Sequence, residues 1–347
     1  MKYILLIIIS SFISCSSSPN LHPRYSSFPE EKNLTAQDVS LDSVLFRYPF
    51  RVTVRDSVAI VMDLHNIDYY FHAFSYPEWK HLVSFGKRGE APEEMLSAEM
   101  FQFNSLDSIW ALDANRMQIS RWSIDPQKVT AKREQIIPLD RQLVRSLDFY
   151  ATDTCFLITD YLGDFRYHQV DYSGKSFKNV GEIPTEINNK KEVRPALAQA
   201  WRSFTDYNPQ KGIYAMVTQL GEAIEIYNLK ENTHTVLYGP NGEPQFQTVG
   251  TEGIPTGIMG FSDIRITDQY IYSVFHGVSF KEKEVIYQQG KKPEDGGRYI
   301  YVFDLKGNPV RKYTLDYPVY GIDVNEKTKT IIATCVEKDE PILEFKM

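Results

Sequence analysis

Phe101-Gln102-Phe103-Asn104-Ser105-Leu106-Asp107-Ser108-Ile109-Trp110-Ala111-Leu112-Asp113 is an alternating stretch, a tight polar turn and a second, more apolar run. Period-two alternation rich in aromatic and β-branched residues specifies a strand, and the turn folds it back on its successor. The phrase recurs. Val52-Thr53-Val54-Arg55-Asp56 leads into Val58–Asp63, and Leu147-Asp148-Phe149 into Cys155–Asp160. Phe204-Thr205-Asp206-Tyr207 leads into Ile213–Val217, Ile264–Asp268 into Tyr270–Val274, and Ile322-Asp323-Val324-Asn325 into Ile331–Thr334. The six copies start at intervals of roughly 45–60 residues, the period of propeller blades.

Two further strands follow each pair. In the third unit Phe165–Asp171 precedes a turn at Tyr172-Ser173-Gly174-Lys175 and then Ser176–Val180. In the fifth, Tyr299–Asp304 precedes Lys306-Gly307-Asn308 and Val310–Thr314. Gly and Asn in these turns supply the positive φ that tight hairpins need. Four antiparallel strands per unit with no helical period predict an all-β, six-bladed β-propeller that uses one domain for the whole chain. The sixth unit stops at Met347 one strand short, and the stretch from Asn33 to Phe46 lacks a partner. That N-terminal segment is expected to close the last blade as its outer strand.

The expected organisation is a signal peptide over residues 1–14, a lipidated Cys15 with a flexible tether over 15–31, and the propeller over 32–347. Lys2, the apolar run Ile4–Ile9 and the small residues before Cys15 have the layout of a secretory signal. The apolar run is too short to span a bilayer, which takes about 20 residues. Ile13-Ser14-Cys15 resembles a bacterial lipobox, which implies cleavage before Cys15 and acylation of its sulfur. Ser16, Ser17 and Ser18, rather than acidic residues, follow that cysteine and favour an outer-membrane anchor facing the periplasm. The other two cysteines, Cys155 and Cys335, sit in apolar runs and read as small buried hydrophobes.

Phe85-Gly86-Lys87-Arg88-Gly89-Glu90-Ala91-Pro92-Glu93-Glu94-Met95 is similar to the blade-to-blade linker phrase of NHL-like and TolB-like six-bladed propellers. Met95 and Glu93 stand where that phrase usually has an aromatic residue and a glycine. Tyr299–Phe345 also looks like the last two blades of TolB-like propeller lipoproteins. The resemblance spans residues 33–347 and bears on fold more than on activity.

Strand parity places the function. In a four-stranded meander, labelled A to D from the channel outward, A–B and C–D turns share one end. B–C turns and D–A linkers share the other. The long segments 86–98, 182–196, 238–259 and 277–297 all belong to the second class, so that end is expected to be the thick, functional face and the other thin and plain. Candidate binding residues on the thick face are Lys87, Arg88, Arg194, Trp201, Arg202, His276 and Lys281. The insertion 277–297 reads as a solvated hairpin or flexible loop, or else a lid over a partner.

Composition narrows the function. Hydrophobic residues at 42% and aromatics at 13% supply a large core, and the net charge of −7 is interspersed without a basic stripe, which excludes a nucleic-acid binder. No motif of nucleophilic catalysis, phosphate binding or paired histidine ligands occurs, so no catalytic residue or cofactor is assigned. The leading expectation is a lipid-anchored, non-catalytic module that binds a protein or glycan. A metal-dependent lactonase- or esterase-like hydrolase is the alternative, with Glu99, Asp148, Asp263 and Asp323 as channel carboxylates for Ca²⁺ or Mg²⁺. A structural envelope subunit is the third.

Overall fold

The computed structural model describes residues 22–41, 44–186 and 193–347. Cys15 and the signal segment lie outside them. Six sheets follow one another around a central channel, as the repeat predicts. Blade one spans residues 49–87, blade two 100–138, blade three 149–180, blade four 203–238, blade five 261–319 and blade six 322–346. Each inner A strand pairs antiparallel with its B strand, and B with C.

The B strands are apolar on both faces because each sheet packs against two neighbours. Val58–Asp63 and Ile213–Thr218 are buried along their whole length. Separate apolar layers fill the blade interfaces. Met100, Trp110 and Leu112 meet Phe149, Phe156 and Ile158 between blades two and three, and Val52, Val61 and Phe74 meet Ile332 and Ile342 between blades one and six. Cys155 and Cys335 are unbridged and buried in such layers, as expected. Gly174 takes φ +86°, and any side chain there would collide with the Pro138 carbonyl of blade two. The C–D turn of blade three therefore requires glycine.

Ring closure occurs where the sequence places it. Ala36–Val39 (β2) pairs antiparallel with Ile342–Lys346 and becomes the outer strand of blade six. The chain does more before that. Glu30–Leu34 (β1) runs parallel to the outer strand Pro309–Val319 and gives blade five a fifth strand. Glu30 pairs with Arg311 at 2.7 Å and Glu31 with Lys312 at 3.0 Å, which fixes the register along an exposed edge.

Residues 24–31, expected to belong to the tether, are likewise bound to the propeller. The backbone of residues 23–25 bonds with Tyr238 at the outer edge of blade four. The Tyr25 hydroxyl donates to Glu222 at 2.8 Å, and its ring packs edge-on against Phe28 and Phe303. Two aromatic anchors thus hold a segment whose other residues face solvent. The N-terminal strap crosses blades four, five and six before entering blade one.

If the strap contributes as its burial implies, Tyr25→Ala removes a buried ring and a buried hydrogen bond, and costs about 3 kcal/mol. Urea denaturation checks this; a free tether would leave the midpoint unchanged.

Candidate functional site

The inner strands line the channel, and one edge of each has no further strand to pair with. In blades three, four, five, six and one, a side chain from the preceding blade takes up that edge. Gln102 of blade two accepts from the Ala151 amide of blade three at 2.7 Å and donates to the Phe149 carbonyl at 2.9 Å. Asp148 accepts from the Thr205 hydroxyl at 2.8 Å and its amide at 3.3 Å. Asp206 accepts from the Ile266 amide at 2.6 Å, Asp263 from Ile322 at 2.7 Å, and Asp323 from Val54 at 2.7 Å. The last of these joins blade six to blade one.

Arginines neutralise Asp263 and Asp323. Arg51, wholly buried, lies 3.3 Å from Asp263 and donates to the Ser262 carbonyl at 2.6 Å. Its guanidinium stacks on Phe50 at 3.9 Å. Arg265 contacts Asp263 at 3.1 Å and approaches Asp323 at 4.0 Å, while Arg55 reaches Asp323 at 3.2 Å. Burial pushes the Asp148 carboxyl up to about 7 against the pull of Thr205 and Arg51. It pushes Asp206 up to about 6 despite Arg265.

The hydrolase reading needs at least three of Glu99, Asp148, Asp263 and Asp323 to converge. They do not. Asp148, Asp263 and Asp323 each serve a different blade junction, and Arg51 and Arg265 occupy the space between them. Glu99 stands apart, on the linker before Met100, with its pKa raised by burial. Among the described residues no three His, Cys, Asp or Glu side chains are grouped to hold a metal ion. Asp148, Asp263 and Asp323 each hold two blades together.

The short-turn end is thin but not plain. The channel opens there into a cavity of about 620 Å³ lined by Arg55, Asp206, Gln210, Arg265, Asp323 and Lys327, among others. Arg55 and Arg265 face Asp323 there, within a polar mouth.

The long-loop end is built up by regular structure that the sequence reading did not foresee. Arg194–Ala200 forms helix α1, with Pro195 in its first turn, and Phe246–Val249 with Glu252–Pro255 form a hairpin beside it. The blade-five insertion contains helix α2, Phe280–Gln288. A capping box starts it: the Ser279 hydroxyl accepts from the Glu282 amide at 3.0 Å, and the Glu282 carboxylate accepts from the Ser279 amide at 2.9 Å. Helix α2 buries none of its residues and overhangs a groove of about 600 Å³ lined by Val278, Val285, Ile286 and Tyr299.

Of the sequence candidates, only His276 and Lys281 share this groove. His276 is buried, its Nε2 has no hydrogen-bond partner, and burial lowers its pKa to about 3. Lys281 is exposed on the groove wall. Lys87 pairs with Glu94 at 2.6 Å, and Arg88 donates to the Asn66 carbonyl and lies over Tyr70, so both shape the first linker. Arg194 pairs with Asp164. Trp201 is entirely buried beside Arg166, packed in the core. Arg202 lies over Phe204 at the channel wall.

Sequence reasoning assigned no role to Asp63, Asp113 and Asp160, though each ends a quoted B strand. Asp63 accepts from the Arg47 and Tyr48 amides at 2.8 Å, Asp113 from Leu96 at 2.8 Å, and Asp160 from Phe165 at 2.8 Å. Their recurrence after the apolar run is the signal that could have found them.

With this geometry in hand, comparisons with known proteins are informative about fold. A family model described as TolB-like 6-blade propeller-like matches residues 27–327. A protein described as exported, from Bacteroides fragilis, superposes with a TM-score of 0.54 at 11% identity, over 93% of this chain and 98% of its own. A member of the DUF4221 family from Bacteroides vulgatus superposes with 0.54 at 8% identity, over 90% and 95%. At such identities the likeness is one of fold. No curated protein matches the chain.

The Asp148 carboxyl holds its proton more tightly in the folded chain than an unfolded one does, so its stabilising contribution is full below about pH 4 and is lost as pH rises toward 7. Asp148→Asn, which cannot titrate, is expected to flatten the fall in stability between pH 4.5 and 7.5 by roughly 1–3 kcal/mol. Urea midpoints at the two pH values measure it, and an unchanged slope contradicts the assignment.

Proposed function

The chain belongs to the TolB-like six-bladed propeller family, and from that premise we propose that it is an exported, lipid-anchored and non-catalytic interaction module that works through its long-loop face. The observation that carries this reading is the apolar groove under α2. A helix with no fully buried residue, tied at its start to the 257–259 linker by the Phe280 amide and the Val278 carbonyl and extending over an apolar cleft, contributes little to the core, so its place is accounted for by what it presents. Commitment of the channel carboxylates to blade junctions supports binding over hydrolysis.

The envelope location rests on the N-terminal pattern. Lys2, the apolar run and Ile13-Ser14-Cys15 support export and acylation at Cys15, and Ser16–Ser18 support a periplasm-facing anchor in the outer membrane. The structural relative described as exported is in keeping with this.

Two measurements test the proposal. Metabolic labelling with a radioactive fatty acid should mark the wild-type protein and not Cys15→Ser, which should leave the membrane fraction; equal labelling contradicts the anchor. Lysine acetylation in intact envelopes, compared with purified protein, reads the engaged face. Lys281, Lys291 and Lys292 should lose reactivity several-fold, whereas Lys306 and Lys327 at the short-turn end keep it. Equal protection at both ends contradicts a long-loop interaction face.

A further inference from the structure

The long-loop end carries an uneven share of exposed apolar side chains. Ile67, Leu162, Val285 and Tyr287 stand in B–C connections, and Leu45, Leu96, Val144, Val249 and Ile254 in blade linkers, all at this end. Among the described residues, one exposed large hydrophobic, Val129, stands in a turn of the opposite end, and three others lie along outer strands. Leu45 is 89% exposed, Tyr287 64%, Val249 63% and Ile67 61%, so these are protruding tips rather than core margins.

Their distribution matters as much as their number. They are distributed over the connections of several blades, from the blade six–one junction to blade five. A protein partner of standard size covers a contiguous area of about 800 Å². A flat, deformable surface touches all such points at once. Neighbouring charges are partly satisfied within the face, with Lys87 on Glu94, Arg194 on Asp164 and Arg298 on Glu294.

The strap gives the same direction independently. The described chain begins at His22, whose ring contacts Tyr238 at the long-loop end of blade four. Seven residue steps separate it from Cys15, a reach of at most about 25 Å at ~3.6 Å per residue. An anchor at Cys15 therefore leaves the propeller from this end, with at most that length of chain between the long-loop edge of blade four and the bilayer.

We propose that the partner of the long-loop face is the membrane surface itself: the ring of exposed aliphatic and aromatic tips seats in the headgroup–acyl boundary of the leaflet that carries the anchor. This deepens the function proposed above and rests on its anchored, long-loop reading. Shallow insertion of dispersed apolar side chains supplements a lipid anchor in the way a second membrane signal does. It leaves the cavity at the short-turn end directed away from the membrane, open to soluble molecules.

The test places a nitroxide label at Leu45→Cys, Ile67→Cys or Tyr287→Cys, with Val129→Cys as the control. Each full-length variant is mixed with excess phosphatidylethanolamine–phosphatidylglycerol vesicles, both with native Cys15 and with Cys15→Ser. The native Cys155 and Cys335 are buried. The three long-loop labels should show a several-fold rise in the ratio of oxygen to nickel-complex collisions, and the Val129 label none. Flotation with the vesicles reports the anchor separately, so its loss counts against acylation and not against the face. Labels that stay aqueous in excess lipid, whether or not the protein floats, overturn the proposal. Aqueous labels together with lysine protection in native envelopes would overturn it in favour of a protein partner.

Discussion

One interaction, repeated at five blade junctions, organises this molecule: an inner-strand side chain accepts a backbone N–H from the inner strand of the next blade. A channel-facing strand edge has donors and acceptors with no sheet partner, and a buried unsatisfied N–H is costly. Gln102, Asp148, Asp206, Asp263 and Asp323 satisfy the amides of Ala151, Thr205, Ile266, Ile322 and Val54 in turn. The price is a set of buried carboxylates spaced around a narrow channel, one at each junction. Arg51 and Arg265 offset that repulsion, which is why two arginines sit where a propeller could otherwise hold a ligand.

Closing the ring from the inside with Asp323 has an outer counterpart in the strap. Tyr25 and Phe28 dock it between blades four and five, β1 lengthens blade five, and β2 completes blade six. The first and last blades are thus joined at both radii. The two ends of the barrel differ as a consequence. Inner-strand tips and tight turns surround a polar mouth at one end, while linkers, helices and the incoming N-terminus crowd the other. A rigid body with all its elaboration on one end suits a role in which one face engages and the other stays free.

Much of the fold was legible because alternation is strict wherever a strand is half-buried, and turn residues mark each reversal. The blade count, the closing strand near Ala36–Val39 and the grouping of long connections at one end all follow from that pattern. The strap escaped it for a physical reason: Glu30–Leu34 buries only Leu34, so its sequence carries no period. Helix α2 escaped for the same reason, leaving Ser279 and Glu282 as its one local sign. The site was less legible. Polar residues at inner positions were visible as such, but the group each one bonds lies 49 residues away for Gln102, 57 for Asp148 and 269 for Asp323. Nothing local in the sequence states whether such a residue faces a metal, a ligand or the next blade.

Native-state hydrogen exchange tests the organising role of these junction bonds most directly. If they hold the ring, the amides of Val54, Thr205, Ile266 and Ile322 exchange only by global unfolding, with protection equal to that of the buried B-strand amides and to one another. Exchange of any of them by a lower-energy local opening, while the B strands stay protected, would show that the blades are held by their apolar layers alone and would contradict the account.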